Sequence, residues 1–285
     1  GDDPKEFDVH KFIIKAEDYG IPQARHRVIL VGIKEELFNG ITQLQKKPSV
    51  TLKSIIKDLP ELRSKLSKQP DSDENWKQEI EDHLTGLSEE LLLENTYTEL
   101  QKSLDNLIKV IKQSSTTPGA LRFPRTTSGS TGIDELDEWY LDSRLTKWLN
   151  HETRGHMTED LRRYVYASQF AISHKISPKG HRDFFLESLR PNHKNWESGK
   201  FADRFKVQLW DKPSTTITSH ISKDGHYFIH PDPKQARSLT VREAARLQTF
   251  PDNYFFQGNR TQQYHQVGNA VPPLLARQIV EIIRN

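Results

Sequence analysis

Apolar residues change their period several times along this chain of 285 residues. Near the start, Val9 to Ala16 is β-rich, Gly20 and Pro22 punctuate, and Val28 to Ile33 is a short unbroken apolar run. Residues 7–33 therefore predict two strands around a turn. The brevity and β-branching of the second run predict a strand covered on both faces, with a buried helix fragment as the competing reading. From 71 to 117 there is no proline and the period becomes helical. Ile80, Leu84, Leu87 and Leu91 form one stripe; Leu100, Leu104, Leu107, Ile108 and Ile111 form another. Together they predict an acidic helical hairpin over about 71–113, an insertion whose stripes pack on each other. Gln113 to Gly132, rich in Ser, Thr, Gly and Pro, predicts a long irregular loop. A mixed region to about Lys206 and a β-patterned stretch from Val207 to His230 follow, then two closing helices. Thr240-Val-Arg-Glu243 reads as a capping box, with Phe250-Pro251 stopping that helix. Pro272 and Pro273 suit the first turn of the last helix, whose buried stripe is Leu275, Ile279, Ile282 and Ile283.

Composition narrows this picture. Hydrophobic content of 34% against 28% charged residues predicts a core shared with polar helix or loop. The whole-chain charge of +2 announces no polyanion partner, but its distribution does. Asp58 to Lys112 carries 7 Lys/Arg against 13 Asp/Glu, whereas Arg144 to Lys206 carries 13 against 7. That asymmetry fits a basic substrate face beside an acidic solvated element. No apolar stretch is long enough to span a membrane, and no secretion signal is expected. With no cysteine, disulfides and thiolate metal sites are excluded, and a cytoplasmic location is expected.

Three short blocks carry candidate chemistry. In Gln23-Ala-Arg25-His-Arg27, strand alternation places Gln23, Arg25 and Arg27 on one side. Guanidiniums facing the same way repel, so they suggest an anionic ligand or paired carboxylates; a basic hairpin at a sheet edge is the plainer reading. Gly268-Asn269-Ala270-Val-Pro272 reads as a turn before the last helix, where amides and an Asn side chain can hold a polar ligand. In Leu209 to Thr218, Lys212, Ser214, Thr215, Thr216 and Thr218 suit phosphate and base-edge contacts, although a Pro-Ser turn leading into a Thr/Ile strand explains them as well. His151, His156, His174, His181 and His193 have irregular spacings, so no metal site is expected. They are read instead as members of a nucleic-acid surface with Arg154, Arg162, Arg163 and Lys206.

Asp18 to Val28, Arg237 to Asp252 and Tyr264 to Pro273 together resemble, in order, the C-terminal motifs of DNA (cytosine-5) methyltransferases. The resemblance implies a doubly wound α/β methyltransferase domain, of which this chain holds the last strands and final helix, plus a mixed α+β target recognition domain. The implied division is 1–57 and 258–285 for the catalytic part and 58–257 for recognition of double-stranded DNA. It also implies methyl transfer from S-adenosylmethionine to C5 of a flipped cytosine, through cysteine addition at C6. By resemblance Arg27 binds the cytosine O2 edge, Arg25 fixes the pocket beside Gln23, and Gly268, Asn269 and Ala270 line the cofactor wall. The Arg-Glu-Ala-Ala-Arg-Leu-Gln helix is support, and Arg242 has no catalytic part. The family's Gly-rich cofactor turn, Pro-Cys nucleophile loop and Glu-Asn-Val acid are absent. The expectation is therefore a chain inactive alone that needs an N-terminal catalytic half, with an apolar edge where that half packs. A non-catalytic DNA-binding subunit and a transfer-RNA methyltransferase remain alternatives.

Overall fold

The computed structural model describes residue 8 and residues 12–38, 40, 42–94, 98–192, 196 and 203–284. The start of the expected first strand and His193 lie outside them.

The opening hairpin pairs β1 (Ile13–Lys15) with β3 (His26–Val28), antiparallel, Ile14 opposite Arg27. Between them β2 (Gln23–Ala24) turns to a different partner and pairs in parallel with β8 (Ser214–Thr215). Arg25 is thus the joint between two ladders. That break interrupts the strict alternation expected of Gln23, Arg25 and Arg27. The strand also ends at Val28, so the covered strand over Val28–Ile33 is corrected. Leu30 is 92% exposed, and Val28 and Val31 are about half exposed. With no ladder partner among the described residues, the run's backbone stays irregular.

The helical hairpin is present as α2 (Asp73–Glu94) and α3 (Thr98–Gln113), preceded by α1 (Leu52–Ile56) and the short β4 (Lys65–Leu66). Both predicted stripes are buried, and they pack on each other and on α5 (Thr158–His174) in one hydrophobic core. The expected loop over 113–132 is only partly a loop. Gly119–Pro124 forms β5, antiparallel to β6 (Lys147–Glu152), with α4 (Asp134–Tyr140) between them. A Ser/Thr/Gly composition hid a strand whose partner begins 28 residues after its own start. Residues 128–131 do form a loop, wrapped on two carboxylates: Asp58 accepts from Ser128 Oγ and the Gly129 amide, and Asp137 from Thr131. β7 (Gly155–His156), parallel to β4, leads into α5, and α6 (Gly180–Asp183) follows. The β-patterned stretch over Val207–His230 is also corrected. It holds only β8, isolated bridges and two 3-10 turns, because its polar side chains bind neighbouring loops rather than a sheet.

Three helices close the chain rather than two: α7 (Val241–Leu247), α8 (Arg260–Asn269) and α9 (Pro273–Arg284). The Thr240–Glu243 capping box starts α7 as the spacing predicts. Its end comes before Phe250, in a Schellman arrangement with Phe250 N–H on Ala245 O and Thr249 N–H on Arg246 O. Thr249 takes the left-handed position (φ 62°), rare for a β-branched residue. Its hydroxyl accepts from the Leu274 amide and its carbonyl from Trp139 Nε1, which hold it there. A second core joins Ile21, Leu52, Trp148, Ile217, Ala244 and Tyr264, so segments distant in sequence share one interior.

Candidate active site

Four pieces of chain meet at residues 216–219. Gln23, fully buried, donates from Nε2 to Leu247 O (3.1 Å) and Gln248 Oε1 (2.7 Å), and its Oε1 accepts from the Ile217 amide (2.9 Å). Thr216 Oγ1 donates to Ala24 O (2.6 Å). Gln248 Nε2 in turn donates to Val267 O (2.8 Å), tying α7 to the end of α8. Gly268 completes the joint by close approach. A Cβ there would meet the Ser219 amide nitrogen and lie 2.7 Å from Thr218 O.

On this joint sit the hairpin arginines. Arg25, half-buried, donates from Nη1 to Ile217 O (3.3 Å). Burial first, and the neighbouring Arg27 second, draw its pKa down, so the two guanidiniums feel each other. Arg27 is exposed, and among the described residues its side chain reaches only the adjacent His26 O (2.7 Å). Beside it, His26 Nε2 lies 2.6 Å from Glu17 Oε1. Two cations with no carboxylate paired to them among the described residues leave room for an anion or an electron-rich carbonyl.

Asn269 is the exposed last residue of α8, and Ala270 caps it with its amide on Val267 O (3.3 Å). The block therefore ends one helix as well as preceding α9, a correction to the helix-start turn. Through Ile217 and Thr218, Arg25 and Gly268 attach to consecutive residues of one segment. Asn269 has a side chain without a hydrogen-bond partner among the described residues, so its amide is free to meet a polar ligand such as a nucleoside. Gly268 is different, because its open face is already filled by Thr218 and Ser219.

The nucleic-acid candidates divide by burial. Arg154, 8% exposed, points inward: Nη2 donates to Ile221 O (2.6 Å), Nη1 to Lys223 O (3.1 Å), and the guanidinium lies over Tyr264. Arg163 is spent on Leu189 O, Arg190 O and Asp160. Ser214 is fully buried. These three are corrected as DNA contacts, since a buried group bound to internal carbonyls or walled in by the core has nothing to offer a phosphate. Thr215 and Thr216 turn their hydroxyls to Gln208 and Ala24. Arg162 donates to His83 Nδ1 (3.1 Å). Lys206 donates its amide to His226 O and accepts from the Ile229 amide, leaving its half-buried side chain unpaired among the described residues; Lys212 is exposed and Thr218 half-exposed.

The histidine surface is corrected at two positions: His174 and His181 are exposed, whereas His151 and His156 are internal. His151 bridges Thr240 Oγ1 and Pro60 O, and burial draws its pKa down to about 4. His156, held by Ser238 and Tyr164, is likewise driven well below the usual histidine value by burial. Both are neutral core groups. Sequence reading missed Gln248, the link between Gln23 and Val267; its place at the end of the Arg-Leu-Gln block was the available signal.

The C-5 cytosine-specific DNA methylase family model matches residues 4–285. The chain belongs to that family. It is 33% identical over 280 residues to the type II methyltransferase M.Bpa9945I of Bacillus paralicheniformis, covering 96% of this chain and 50% of that one. M.DdeI of Desulfomicrobium norvegicum is 29% identical over 95% of this chain and 53% of its own. M.AgeI of Thalassovita gelatinovora is 46% identical over 88 residues, 31% of this chain and 20% of its own. The chain thus spans about half the length of the long-matching relatives of this methylase family. No helix among the described residues is long and apolar enough to cross a membrane.

Proposed function

We propose that this chain is the target-recognition and C-terminal portion of a type II DNA (cytosine-5) methyltransferase acting in restriction-modification. Its substrate is double-stranded DNA, and its recognition region spans 58–257. The observation that carries the reading is the shared anchorage of Gln23, Arg25 and the α8 terminus on Ile217–Ser219.

In this reading Arg27, exposed and bound among the described residues only to a backbone carbonyl, takes the O2 edge of an extruded cytosine. Negative charge pushed onto O2 as the ring is attacked at C6 meets a fixed guanidinium, which acts more strongly in a dry site than in water. Arg25 stands behind it, held by Ile217 O, and keeps the field positive. Gln23 positions the turn without touching substrate. Bound S-adenosylmethionine supplies the methyl group; Asn269 and Ala270 are the residues here that would line its site. The nucleophile has to come from elsewhere, since the chain has no cysteine.

The catalytic half packs, in this account, on the apolar groove of about 1110 Å³ between the hairpin and α9. Leu30, Val31, Ile282 and Ile283 line it, and Leu30 is among the most exposed apolar residues of the protein. An apolar surface of this kind marks an interface. The test is transfer of labelled methyl to duplex DNA by the chain alone and after mixing with the catalytic half of a relative. No transfer alone and transfer on mixing are expected. Turnover by the chain alone, or preference for transfer RNA over duplex DNA in the mixture, would overturn the reading.

A further inference from the structure

A second cavity, of about 560 Å³, opens between α1, the end of α5, the Leu209–Lys212 turn and the Pro231–Gln235 turn. Its size lies within the range of small-molecule sites. The Leu209–Lys212 wall is fixed by backbone bonds to α1, Leu52 N–H on Lys212 O (2.8 Å) and Lys53 N–H on Trp210 O (3.0 Å). Trp210, half-buried, stands at right angles to the buried His230 ring with centroids 5.4 Å apart.

Charge at this cavity is unbalanced in a specific way. Lys234 is paired with Glu61 (2.9 Å) and Asp232 (3.7 Å), and Arg237 with Glu243 (2.7 Å). Lys53, Lys57, Lys175 and Lys212 also line the cavity, all exposed, and have no ion-pair partner among the described residues. Counted whole, the lining holds these four cations with Lys234 and Arg237 against Glu61, Asp211, Asp232 and Glu243, a surplus of 6 − 4 = +2. Ammonium groups gathered round one mouth repel one another unless an anion joins them. An indole beside them offers a face for a flat ring, the combination that holds nucleotides without reading their sequence.

We propose that this cavity binds a nucleoside phosphate, its base against Trp210 and its phosphate among Lys53, Lys57, Lys175 and Lys212. The proposal does not depend on the catalytic reading of the hairpin arginines. The same chemistry is supplied by a free nucleotide or by an unpaired nucleotide of a DNA strand, and separate titrations distinguish them. Calorimetry of the intact chain with deoxyadenosine monophosphate, inorganic phosphate and a five-nucleotide single strand is the experiment. The K53Q/K212Q double variant is expected to weaken nucleotide or strand binding about tenfold or more, equivalent to about 1.4 kcal/mol. Trp210→Leu should weaken deoxyadenosine monophosphate while leaving inorganic phosphate unchanged. Both lysines are exposed, so the double variant should unfold at the parent's temperature. A strand that binds and displaces the mononucleotide assigns the site to DNA; mononucleotide binding that no strand displaces assigns it to a free nucleotide. Binding that ignores K53Q/K212Q, inorganic phosphate as tight as the mononucleotide, or no binding by either nucleotide probe would overturn the proposal.

Discussion

The protein holds two sets of arginines that the sequence writes in the same letters and the fold treats in opposite ways. Arg237, Arg242 and Arg246 are essentially unexposed. Arg237 makes a bidentate pair with Glu243 (2.7 Å twice), and Arg246 pairs with Asp252 (2.9 and 2.6 Å) while reaching Ile55 O. Arg242 caps Leu149 O, Pro251 O and Tyr254 O. Burial draws the Arg242 pKa down to about 10. Burial alone would raise Glu243, but Arg237 overrides it and holds the carboxyl well below its usual range. Arg25 and Arg27, by contrast, make one carbonyl bond each and no ion pair among the described residues. The first set is consumed by architecture and ties α7 to three loops. The second is left with donors to spare, and spare donors are what a substrate can use.

Breaking the buried set should give the largest effect. Arg246→Met removes the bidentate partner of buried Asp252 and leaves it only the more distant Arg242 (3.8 Å), and should cost about 3–5 kcal/mol, read from the urea unfolding midpoint. Acid should act next, through buried histidines. His83 and His151 are drawn to about 4 and His230 to about 3, mainly by burial, against 6.5 when free. The neutral forms are favoured by folding, so stability is intact above about 6.5 and is lost as pH falls towards 4, each group costing up to about 1.4 kcal/mol per pH unit in that window. Melting temperatures at pH 7.5, 6 and 5 should fall progressively. Glu243 adds its loss only below the ordinary carboxylate range. A smaller effect is expected at the joint between the two sets. Gly268→Ala pushes a methyl against the Ser219 amide and Thr218 O, costing about 1–3 kcal/mol and loosening the α8 end in hydrogen exchange. Smallest of all, Arg25→Gln and Arg27→Gln should each leave the unfolding midpoint within about 0.5 kcal/mol of the parent.

Legibility in the sequence followed the range of the interactions concerned. Local signals read well: the α2–α3 stripes and the Thr240–Glu243 cap are satisfied within one or two turns of helix. Elements whose partners are distant did not. β5 lay hidden in a Ser/Thr/Gly stretch because β6, not its own pattern, makes it a strand. α8 was missed because its polar sequence, Arg260 to Asn269, shows no stripe. At the site, the motif order singled out Gln23, Arg25, Arg27 and Asn269, but spacing alone said nothing of burial. Arg154 and Arg163 look like surface cations in sequence, and only the carbonyls of Ile221, Lys223, Leu189 and Arg190 reveal them as internal.

The most direct test of the spare-donor account is methyl transfer by the Arg27→Gln variant, mixed with a relative's catalytic half and compared with the unsubstituted chain in the same mixture. The account predicts a fall in turnover of about a hundredfold or more, the scale of losing one donor to a developing oxyanion, with an unchanged unfolding midpoint. Turnover equal to that of the unsubstituted chain would contradict it.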